Sequence, residues 1–420
     1  MSVLCDKGVN APCTLASWCE LRDLVCLATA DGHLSLHRLN WQRLWSSAPD
    51  TRPSALAWRP DGHVLAVGDV EGRITLYDVE NGDVLHTVEG QHESEVTALS
   101  WRDERAIAGA SQRYKDRTPL FFPPPPKPPA GSAGAKPDAT KLVGPCDDGG
   151  HARLGVLVSG DAGGHVALSA FGLFCFARAP LGHGPVRLAE LSRDLGALVA
   201  VCGSPSLGHV LQPVDTGLLT RRRQEVRHVA AHGSHAAVLL RRAEAAVEAQ
   251  REAWAEAVGA FESKFVGELR RALRDHASSH EPATELLGAL ACGPTSPALC
   301  HFLQTTLTEA ALKRLARHVD GAGTAAHEQL LAEACAPLEA AAFRLGELVG
   351  LSRWAQRFGA VGLDPGLAEA AAGAAERCVV AAGRALVAAS EAAASFRALF
   401  YWAARTAHAL GDQGGARGGG

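Results

Sequence analysis

The N-terminal part of the chain repeats one sequence unit at a spacing of 40 residues. The segment LATADGHLSLHRL returns as LAVGDVEGRITLYDV, so that Gly32 recurs as Gly72. Each copy follows a tryptophan, and a third copy starts 43 residues after the second. A period of about 40 to 45 residues, with a tryptophan strand and a glycine turn, is typical of the four-stranded blades of a WD-type β-propeller. The repeat therefore predicts consecutive antiparallel sheets, a fold that supplies binding surfaces more often than catalysis.

The third blade is interrupted. Residues 113–152 contain FFPPPPKPPAGSAGAKP, and proline cannot donate ladder hydrogen bonds. The strand–turn–strand pattern resumes at residues 154–174 as LGVLVSGDAGGHVALSAFGLF, and a weaker copy follows over residues 186–211. We therefore predict about four blades, with residues 154–174 in the same sheet as residues 96–101 and residues 113–152 looped out.

The sequence changes character near residue 222, where alanine, leucine, glutamate and arginine replace glycine and β-branched residues. Phe261, Phe265 and Leu269 recur at every fourth position, which indicates one apolar face of a long helix. The predicted helical stretches are residues 235–275, 306–320, 324–348 and 365–410. Prolines at predicted helix starts, where a missing N–H costs nothing, are Pro282, Pro294, Pro297 and Pro337.

These patterns divide the chain into three parts. Residues 1–221 are predicted to form the WD-type blades, residues 222–410 an antiparallel bundle of long helices, and residues 411–420 a flexible tail. The predicted fold class is an incomplete β-propeller of about four blades followed by an all-α helical bundle.

Composition and motifs argue against an enzyme. Net charge is −4, so no global basic field attracts nucleic acid. None of the 11 cysteines forms a CxxC pair, which fits reduced thiols in a cytosolic or nuclear protein. No phosphate loop, HExxH or GxSxG motif occurs, and no segment has the pattern of a signal peptide or membrane span. We expect no catalysis, cofactor, metal or small-molecule substrate, and no binding to nucleic acid or membrane.

Two sets of residues are candidate sites. The repeated positions are interpreted as blade core, although their tryptophans could instead bind peptides: Trp18, Trp58, Trp101, Gly72 and Asp78. Large aromatic residues on the later helices are candidate interface residues, because any that stay exposed would form an apolar patch: Trp354, Phe358, Phe400 and Trp402.

Two further segments have more than one interpretation. PPPPKPP is either a spacer loop or a ligand for an SH3 domain. The arginine-rich region around residues 221–227, together with Arg241 and Arg242, is either a solvated helix entry or a contact for an acidic partner.

The order of these parts resembles the subunit-four family of the anaphase-promoting complex, the cell-cycle ubiquitin ligase. The resemblance spans nearly the whole chain and rests on LHRLNWQRLW (36–45), ALAWRPDGHVLAVG (55–68), LYDVENGDVLHT (76–87), FGLFCFAR (171–178), LSRWAQRFGAVGLD (351–364) and SFRALFYWAARTAHAL (395–410). It implies a non-catalytic scaffold that braces the platform of the ligase during mitosis. The implied partners are the largest scaffold subunit and subunit five, in nucleus and cytoplasm.

The resemblance also carries one departure. The family completes its propeller after the bundle, whereas this chain ends at Gly420, which we interpret as a truncated isoform or a gene-model fragment. The alternative function is a stand-alone WD-type propeller adaptor that binds a peptide or helix.

Overall fold

The structure is a computed structural model that describes residues 8, 11–19, 21–104, 142, 154–293 and 296–417, with side chains to residue 410. The predicted loop at residues 113–152 lies outside the described residues, except for Leu142. The described chain forms two compact units. One combines Met1–Leu239 with Ala340–Gly373, and the other combines Leu240–Glu339 with Ala374–Gly420. This division differs from the predicted boundary at residue 221, which marks only the change from strands to helices.

The described residues of the first unit form four antiparallel sheets in chain order. The first sheet is β1 (Cys13–Trp18), β2 (Leu24–Thr29), β3 (Leu34–Arg38) and β4 (Arg43–Ser47). The second is β5 (Pro53–Trp58), β6 (Val64–Asp69), β7 (Ile74–Asp78) and β8 (Val84–Val88). The third is β9 (Val96–Asp103), β10 (Gly155–Asp161), β11 (His165–Ala170) and β12 (Phe174–Pro180). The fourth is β13 (Val186–Leu191), β14 (Ala197–Ser204) and β15 (Gly208–Asp215).

The third sheet joins the two sides of the predicted interruption. β9 pairs with β10, and Trp101 lies opposite Leu157. β10 in turn pairs with β11, so residues 154–174 enter the sheet of residues 96–101, as predicted. The prediction of consecutive antiparallel sheets followed by a helical region is confirmed.

The second strand of each of the first three sheets has an almost continuous apolar sequence. β6 reads VLAVGD and β10 reads GVLVSGD, and every residue of both strands is buried. A strand covered on both faces cannot alternate apolar and polar residues, because neither face meets water. These strands form the centre of the core shared by the second, third and fourth sheets.

Neighbouring sheets pack through their first strands. The Ser54 hydroxyl on β5 donates to the Val96 carbonyl on β9 at 2.7 Å. The Ser100 hydroxyl on β9 donates to the Ala189 carbonyl on β13 at 2.6 Å. Gly68 permits this close approach, because a Cβ there would lie 2.6 Å from a Val96 methyl carbon. Each sheet therefore packs on the next in the order of the chain.

In the part of the chain that the structure describes, nine α-helices follow the sheets. They are α1 (Gly217–Arg221), α2 (Arg223–Phe261), α3 (Gly267–Asp275), α4 (Pro282–Cys292), α5 (Pro297–His301), α6 (Glu309–Gln329), α7 (Ala336–Ser352), α8 (Ala355–Phe358) and α9 (Pro365–Arg417). Wide π-helical turns join α2 to α3, extend α5 and join α6 to α7, over Glu262–Val266, Phe302–Thr306 and Leu330–Cys335. A 3₁₀ turn, Gly359–Val361, follows α8.

Proline begins a helix at two of its predicted positions. Pro282 and Pro297 occupy the first turns of α4 and α5, and the Ser296 side chain caps α5 by accepting the Leu299 N–H. Pro294 lies outside the described residues. The prediction for Pro337 is wrong, because helix continues from α6 through the π turn into α7. A proline removes one N–H from the helix ladder, and here the irregular ladder of the π turn comes directly before it.

Two other helix predictions differ from the structure. Helical structure runs on between residues 320 and 324, where a break was expected. Gly323 lies inside α6 because a helix passes close to it there: a Cβ at this position would lie 2.9 Å from the Ala393 methyl carbon. The backbone of α9 also stays helical to Arg417, into the segment predicted to be a flexible tail.

Three helical segments lie side by side in the second unit. The buried residues that join α2, the α6–α7 helix and α9 are mostly small, as in the cluster of Ala246, Leu330 and Ala334. A second cluster contains Phe265, Phe302 and Phe400 at the end of the unit where α3 and α5 pack. Small side chains allow close helix packing, which explains the alanine content of this region.

Among the described residues, one continuous helix is long and apolar enough to span a membrane. Residues Pro365–Leu410 include an 18-residue window with a mean hydropathy of 1.3, of which 11% is buried. The sequence expectation that no segment has this character is therefore not supported. Core helices of proteins that never enter a membrane pass the same test, so the finding is weak evidence for a span.

Candidate interaction surfaces

Trp354 is the exposed member of the predicted interface residues. It lies between α7 and α8 in the first unit, with 53% of its surface exposed. The Arg357 guanidinium stacks over the indole at 4.9 Å from the ring centroid. Arg357 also donates to the Glu225 carboxylate at 2.7 Å and to Gln224 at 3.0 Å. Because the arginine is fixed on both sides, the indole is held in place before any partner binds.

Phe358 does not lie at the surface. Only 2% of its surface is exposed, and its ring lies 6.4 Å from that of His228. Residues 351–364 fold back as a short α8 and a 3₁₀ turn, which buries the ring four residues after Trp354. The prediction of Phe358 as an interface residue is therefore wrong, and Phe358 anchors the segment that presents Trp354.

The electrostatics of this segment follow from the same contacts. Burial acts to raise the pKa of Glu225, but the hydrogen bond and charge of Arg357 hold that pKa below its ordinary value. Burial lowers the pKa of His228, and the positive charge of Arg357 lowers it further. The anchor of the Trp354 segment is therefore an ionised carboxylate beside a neutral imidazole at neutral pH.

Phe400 is also buried, at 5% exposure. Its ring makes edge contacts with Phe261 and Phe265 at centroid distances of 5.9 and 6.4 Å. Trp402 is half-buried and packs against the same cluster. The prediction of Phe400 as an interface residue is wrong, because the helical spacing that suggested an exposed face here turns that face toward α2 and α3.

The predicted blade-core residues occupy different environments. Trp101 is buried at 6% exposure, Trp58 is half-buried, and Trp18 is 62% exposed. The prediction for Trp18 is wrong: β1 belongs to the first sheet, which among the described sheets packs only on the second, and the indole is left largely in solvent. Asp78 is buried at 4%, and its carboxylate accepts the Glu80 N–H at 2.9 Å.

Gly72 forms the turn between β6 and β7 with a φ of +87°. A side chain would be strained by this left-handed backbone. It would also clash, since a Cβ would lie 2.7 Å from the His92 carbonyl oxygen. The turn therefore requires glycine on both grounds.

A buried polar network in the third sheet was missed by sequence reasoning. The His92 ring donates from Nδ1 to Asp161 at 2.9 Å and accepts at Nε2 from the Ser159 hydroxyl at 2.7 Å. Beside it, the Gln91 amide donates to the Ser169 hydroxyl at 2.6 Å. The sequence contains one signal of this network: Asp161 precedes Gly164 by three residues, just as Asp69 precedes Gly72 in the preceding repeat.

Burial determines the charge of this network. It lowers the pKa of His92 below the ordinary value of 6.5, and the opposing effect of Asp161 does not restore it. Burial acts to raise the pKa of Asp161, but hydrogen bonds from the His165 amide and from His92 hold it below its ordinary value. A neutral histidine bonded to a carboxylate and a hydroxyl fixes the loop before β9 to the turn after β10.

The outer faces of the two terminal sheets expose apolar side chains. On the fourth sheet, Leu188 pairs across to Val201 and Val201 to Leu211, and Leu188 and Leu211 are 47% and 67% exposed. On the first sheet, Trp18 lies beside Val25. These faces were not predicted, because a sequence repeat does not reveal which of its copies lack a neighbour.

No metal centre is assembled from the described residues, where no group of three or more His, Cys, Asp or Glu side chains could hold an ion. The His92 network has the residue types of a nucleophilic triad, but its imidazole is fully enclosed. Its geometry supports packing of the sheet rather than access for a substrate.

The strand-forming part and the helical part of the chain each match a model of a known protein family. Residues 16–104 match the family model of the anaphase-promoting complex subunit 4 WD40 domain, and residues 210–413 match that of anaphase-promoting complex, cyclosome, subunit 4. The chain belongs to the anaphase-promoting complex subunit 4 family. The first match covers the first two sheets and β9, and the second covers the helices with the end of β15.

Relatives in this family align along nearly the whole chain. Anaphase-promoting complex subunit 4 of mouse (Mus musculus) is 27% identical over an alignment of 420 positions that covers 95% of this chain and 51% of the mouse protein. The human protein (Homo sapiens) is 26% identical over 95% of this chain and 50% of its own length. That of fission yeast (Schizosaccharomyces pombe) is 26% identical over 90 residues, 21% of this chain and 12% of the yeast protein. The chain spans about half the length of the mouse and human relatives.

Proposed function

We propose that this chain is a non-catalytic scaffold subunit of the anaphase-promoting complex, the cell-cycle ubiquitin ligase. The observation that carries the proposal is the pair of family matches on two different architectures, sheets and helices, in one chain. A generic propeller adaptor has no need of the helical part. In this proposal the four sheets act as blades of an incomplete WD-type propeller, and the chain works in nucleus and cytoplasm without a cofactor.

The structure supports this proposal through the kind of surface that it presents. Exposed tryptophans with an adjacent arginine are typical of residues that dominate binding energy at protein interfaces, and Trp354 with Arg357 has this arrangement. The uncovered faces of the first and fourth sheets add apolar area that favours a protein partner. We propose that the partners are the largest scaffold subunit and subunit five, with Trp354 as one anchor.

Affinity purification of the tagged full-length chain from dividing cells, followed by quantitative mass spectrometry, tests the proposal. We expect other subunits of the ligase among the most enriched proteins. Trp354→Ala should reduce their recovery about tenfold or more, the effect of removing a typical interface tryptophan. Leu287→Ala is the control, because Leu287 is 66% exposed on α4, away from the surfaces proposed to bind.

Recovery of unrelated proteins without any ligase subunit would overturn the scaffold proposal and favour the stand-alone adaptor. Recovery of the ligase that is unchanged by Trp354→Ala would retain the scaffold and remove Trp354 from its interface. Thermal unfolding of both variants must match the parent chain, which separates lost binding from lost folding.

A further inference from the structure

The outer face of α9 carries apolar residues at every seventh position. Val380 and Val387 are 54% and 57% exposed, Tyr401 is 70% exposed, and Ala394 lies exposed between them. The opposite face of the same helix packs into its own unit, where Phe400 is buried. A seven-residue apolar repeat on an exposed face is the pattern of a helix–helix seam.

The neighbouring positions allow a second helix to approach closely. Gly383 and Ser390 follow Val380 and Val387 by three residues, so small side chains alternate with valines along the seam. Nothing lies within 4 Å of the position that a Cβ would take at Gly383. From Val380 to Tyr401 the seam is about 32 Å long at 1.5 Å per residue, which is three heptads.

Two charges border the seam, and both are available to a partner. Arg384 and Glu391 stand seven residues apart on the same side of the column. Within the part of the chain that the structure describes, neither forms an ion pair, whereas Arg397 on the same helix pairs with Asp320 at 3.4 Å. A helix that covers the seam therefore needs an acidic group near Arg384 and a basic group near Glu391.

A second copy of α9 meets this requirement when it runs antiparallel. With the midpoint between Val387 and Ala388, Arg384 of one copy faces Glu391 of the other, and the reverse pair forms by symmetry. In the same register Val387 lies opposite Ala388, within one turn of Ser390, and Ala394 lies opposite Ala381, within one turn of Gly383. A parallel arrangement would place each arginine beside its own counterpart. We propose that this protein self-associates through the α9 seam as an antiparallel helix pair.

Lipid is a poorer occupant of this face. The weakly charged stretch Cys378–Ser390 contains 13 residues with Arg384 at its centre. This stretch is about 20 Å long and is bordered by Arg377 and Glu391, so a helix segment that crosses the roughly 30 Å hydrocarbon core of a bilayer would bury further charges besides Arg384. An arginine in the middle of so short a stretch favours a protein surface with a carboxylate over a membrane interior.

Sedimentation equilibrium of the purified full-length chain tests the proposal, in the absence of any other protein. We expect a monomer–dimer equilibrium over a concentration range on the order of a hundredfold. Arg384→Glu and Glu391→Arg should each weaken dimerisation by roughly tenfold or more, because each replaces two attractive pairs with two repulsive ones. The double variant, R384E with E391R, should restore the parent affinity.

Mixing the two single variants gives the sharpest result. One chain then supplies both acids and the other both arginines, so the mixture should dimerise where each variant alone does not. Arg377→Glu is the matched control, since it reverses the same kind of charge on the same exposed helix but faces Ala398 of the second copy. Helix content by circular dichroism should be equal in all variants.

Three results would overturn the proposal. They are a chain that stays monomeric throughout the range, a dimer that is insensitive to both single reversals, and two single variants that do not associate with each other. A monomer that sediments with vesicles of phosphatidylcholine and phosphatidylserine would assign the α9 face to a membrane instead. Because the purified chain is used alone, none of these outcomes decides membership of the ligase.

Discussion

At the scale of single residues, the copies of a repeated position are not equivalent. Trp18, Trp58 and Trp101 occupy the same place in the repeat, yet their exposure ranges from 62% to 6%. The difference arises because, among the described sheets, the third packs against one on each side, while the first packs against the second alone. We therefore expect the contribution of each tryptophan to stability to depend on how far neighbouring sheets bury it, and not on its position in the repeat.

Replacement of the blade tryptophans measures this difference. Trp101→Ala should destabilise the chain by roughly 3 to 5 kcal/mol, as for other buried aromatic truncations. Trp18→Ala should change the free energy of unfolding by less than about 0.5 kcal/mol, because its side chain is largely solvated already. Urea denaturation followed by circular dichroism gives both values. Equal losses at the two sites would contradict the assigned burial.

The His92 network predicts a pH dependence. The pKa of His92 in the folded chain lies below its ordinary value, so near that value the unfolded chain binds a proton that the folded chain does not bind. The free energy of unfolding therefore decreases as the pH falls through about 6.5. Asp161, whose pKa is also lowered, adds a further loss only as the pH falls through about 4. Denaturation midpoints at about pH 7 and about pH 5.5 separate the histidines from the carboxylates. His228, whose pKa is also lowered, contributes to the same decrease, so a variant is needed to assign the share of His92.

His92→Gln should reduce stability at neutral pH and also flatten the decrease between these two values. His209→Gln, at an exposed position in β15, serves as the control and should retain the parent slope. A His92→Gln chain with the full pH dependence would show that other groups cause it.

At the scale of elements, one buried carboxylate joins the sheets to the first long helix. Glu104 follows β9 and lies 3.1 Å from Arg223 and 2.7 Å from Arg227, both on α2. It also accepts the Leu154 N–H at 3.2 Å. The sequence allowed two interpretations of the arginine cluster, a solvated helix entry or a contact for an acidic partner. Two of its arginines bind Glu104 of the same chain, so part of the cluster is already paired.

Glu104→Gln tests this joint. We expect a loss of about 3 kcal/mol, the lower end of the range for breaking a buried ion pair, because both arginines remain partly exposed. Glu248→Gln removes the partner of Arg251 in an exposed pair and should leave the unfolding temperature nearly unchanged, because solvent screens exposed ion pairs. Thermal unfolding of the two variants provides the comparison. A loss at Glu104 no larger than at Glu248 would mean that the joint does not hold α2.

At the scale of the whole molecule, the third sheet tolerates a long insertion because its register fixes both ends. Asp103 pairs with Gly155, so the chain leaves and re-enters the sheet at adjacent positions. The entropy of closing such a connection rises only slowly with its length. The insertion is therefore compatible with an intact sheet.

Deletion of residues 120–140 should accordingly change the unfolding free energy by less than about 1 kcal/mol. Differential scanning calorimetry of the shortened chain measures this change. A large loss of stability would show that the segment contributes packing of its own, contrary to the spacer interpretation of PPPPKPP.

The sequence by itself determined the periodic features of this protein. The 40-residue repeat predicted antiparallel sheets, and residues 154–174 were assigned to the sheet of residues 96–101 because the same strand–turn–strand pattern resumes there. The recurrence of Phe261, Phe265 and Leu269 at every fourth position predicted a helix. Local patterns carry this information because backbone hydrogen bonding repeats at fixed intervals along the chain.

Only the tertiary structure decided which of these residues are covered. Phe358 and Phe400 are buried while Trp18 and Trp354 are exposed, and no local pattern distinguishes them. The helix continues past Gly323 and Pro337 because packing against α9 and a π turn accommodate them. The exposed column on α9 likewise became visible only once the opposite face was seen to be buried. Burial depends on neighbours that are distant in sequence, so it is decided by the packing of whole elements rather than by the segment itself.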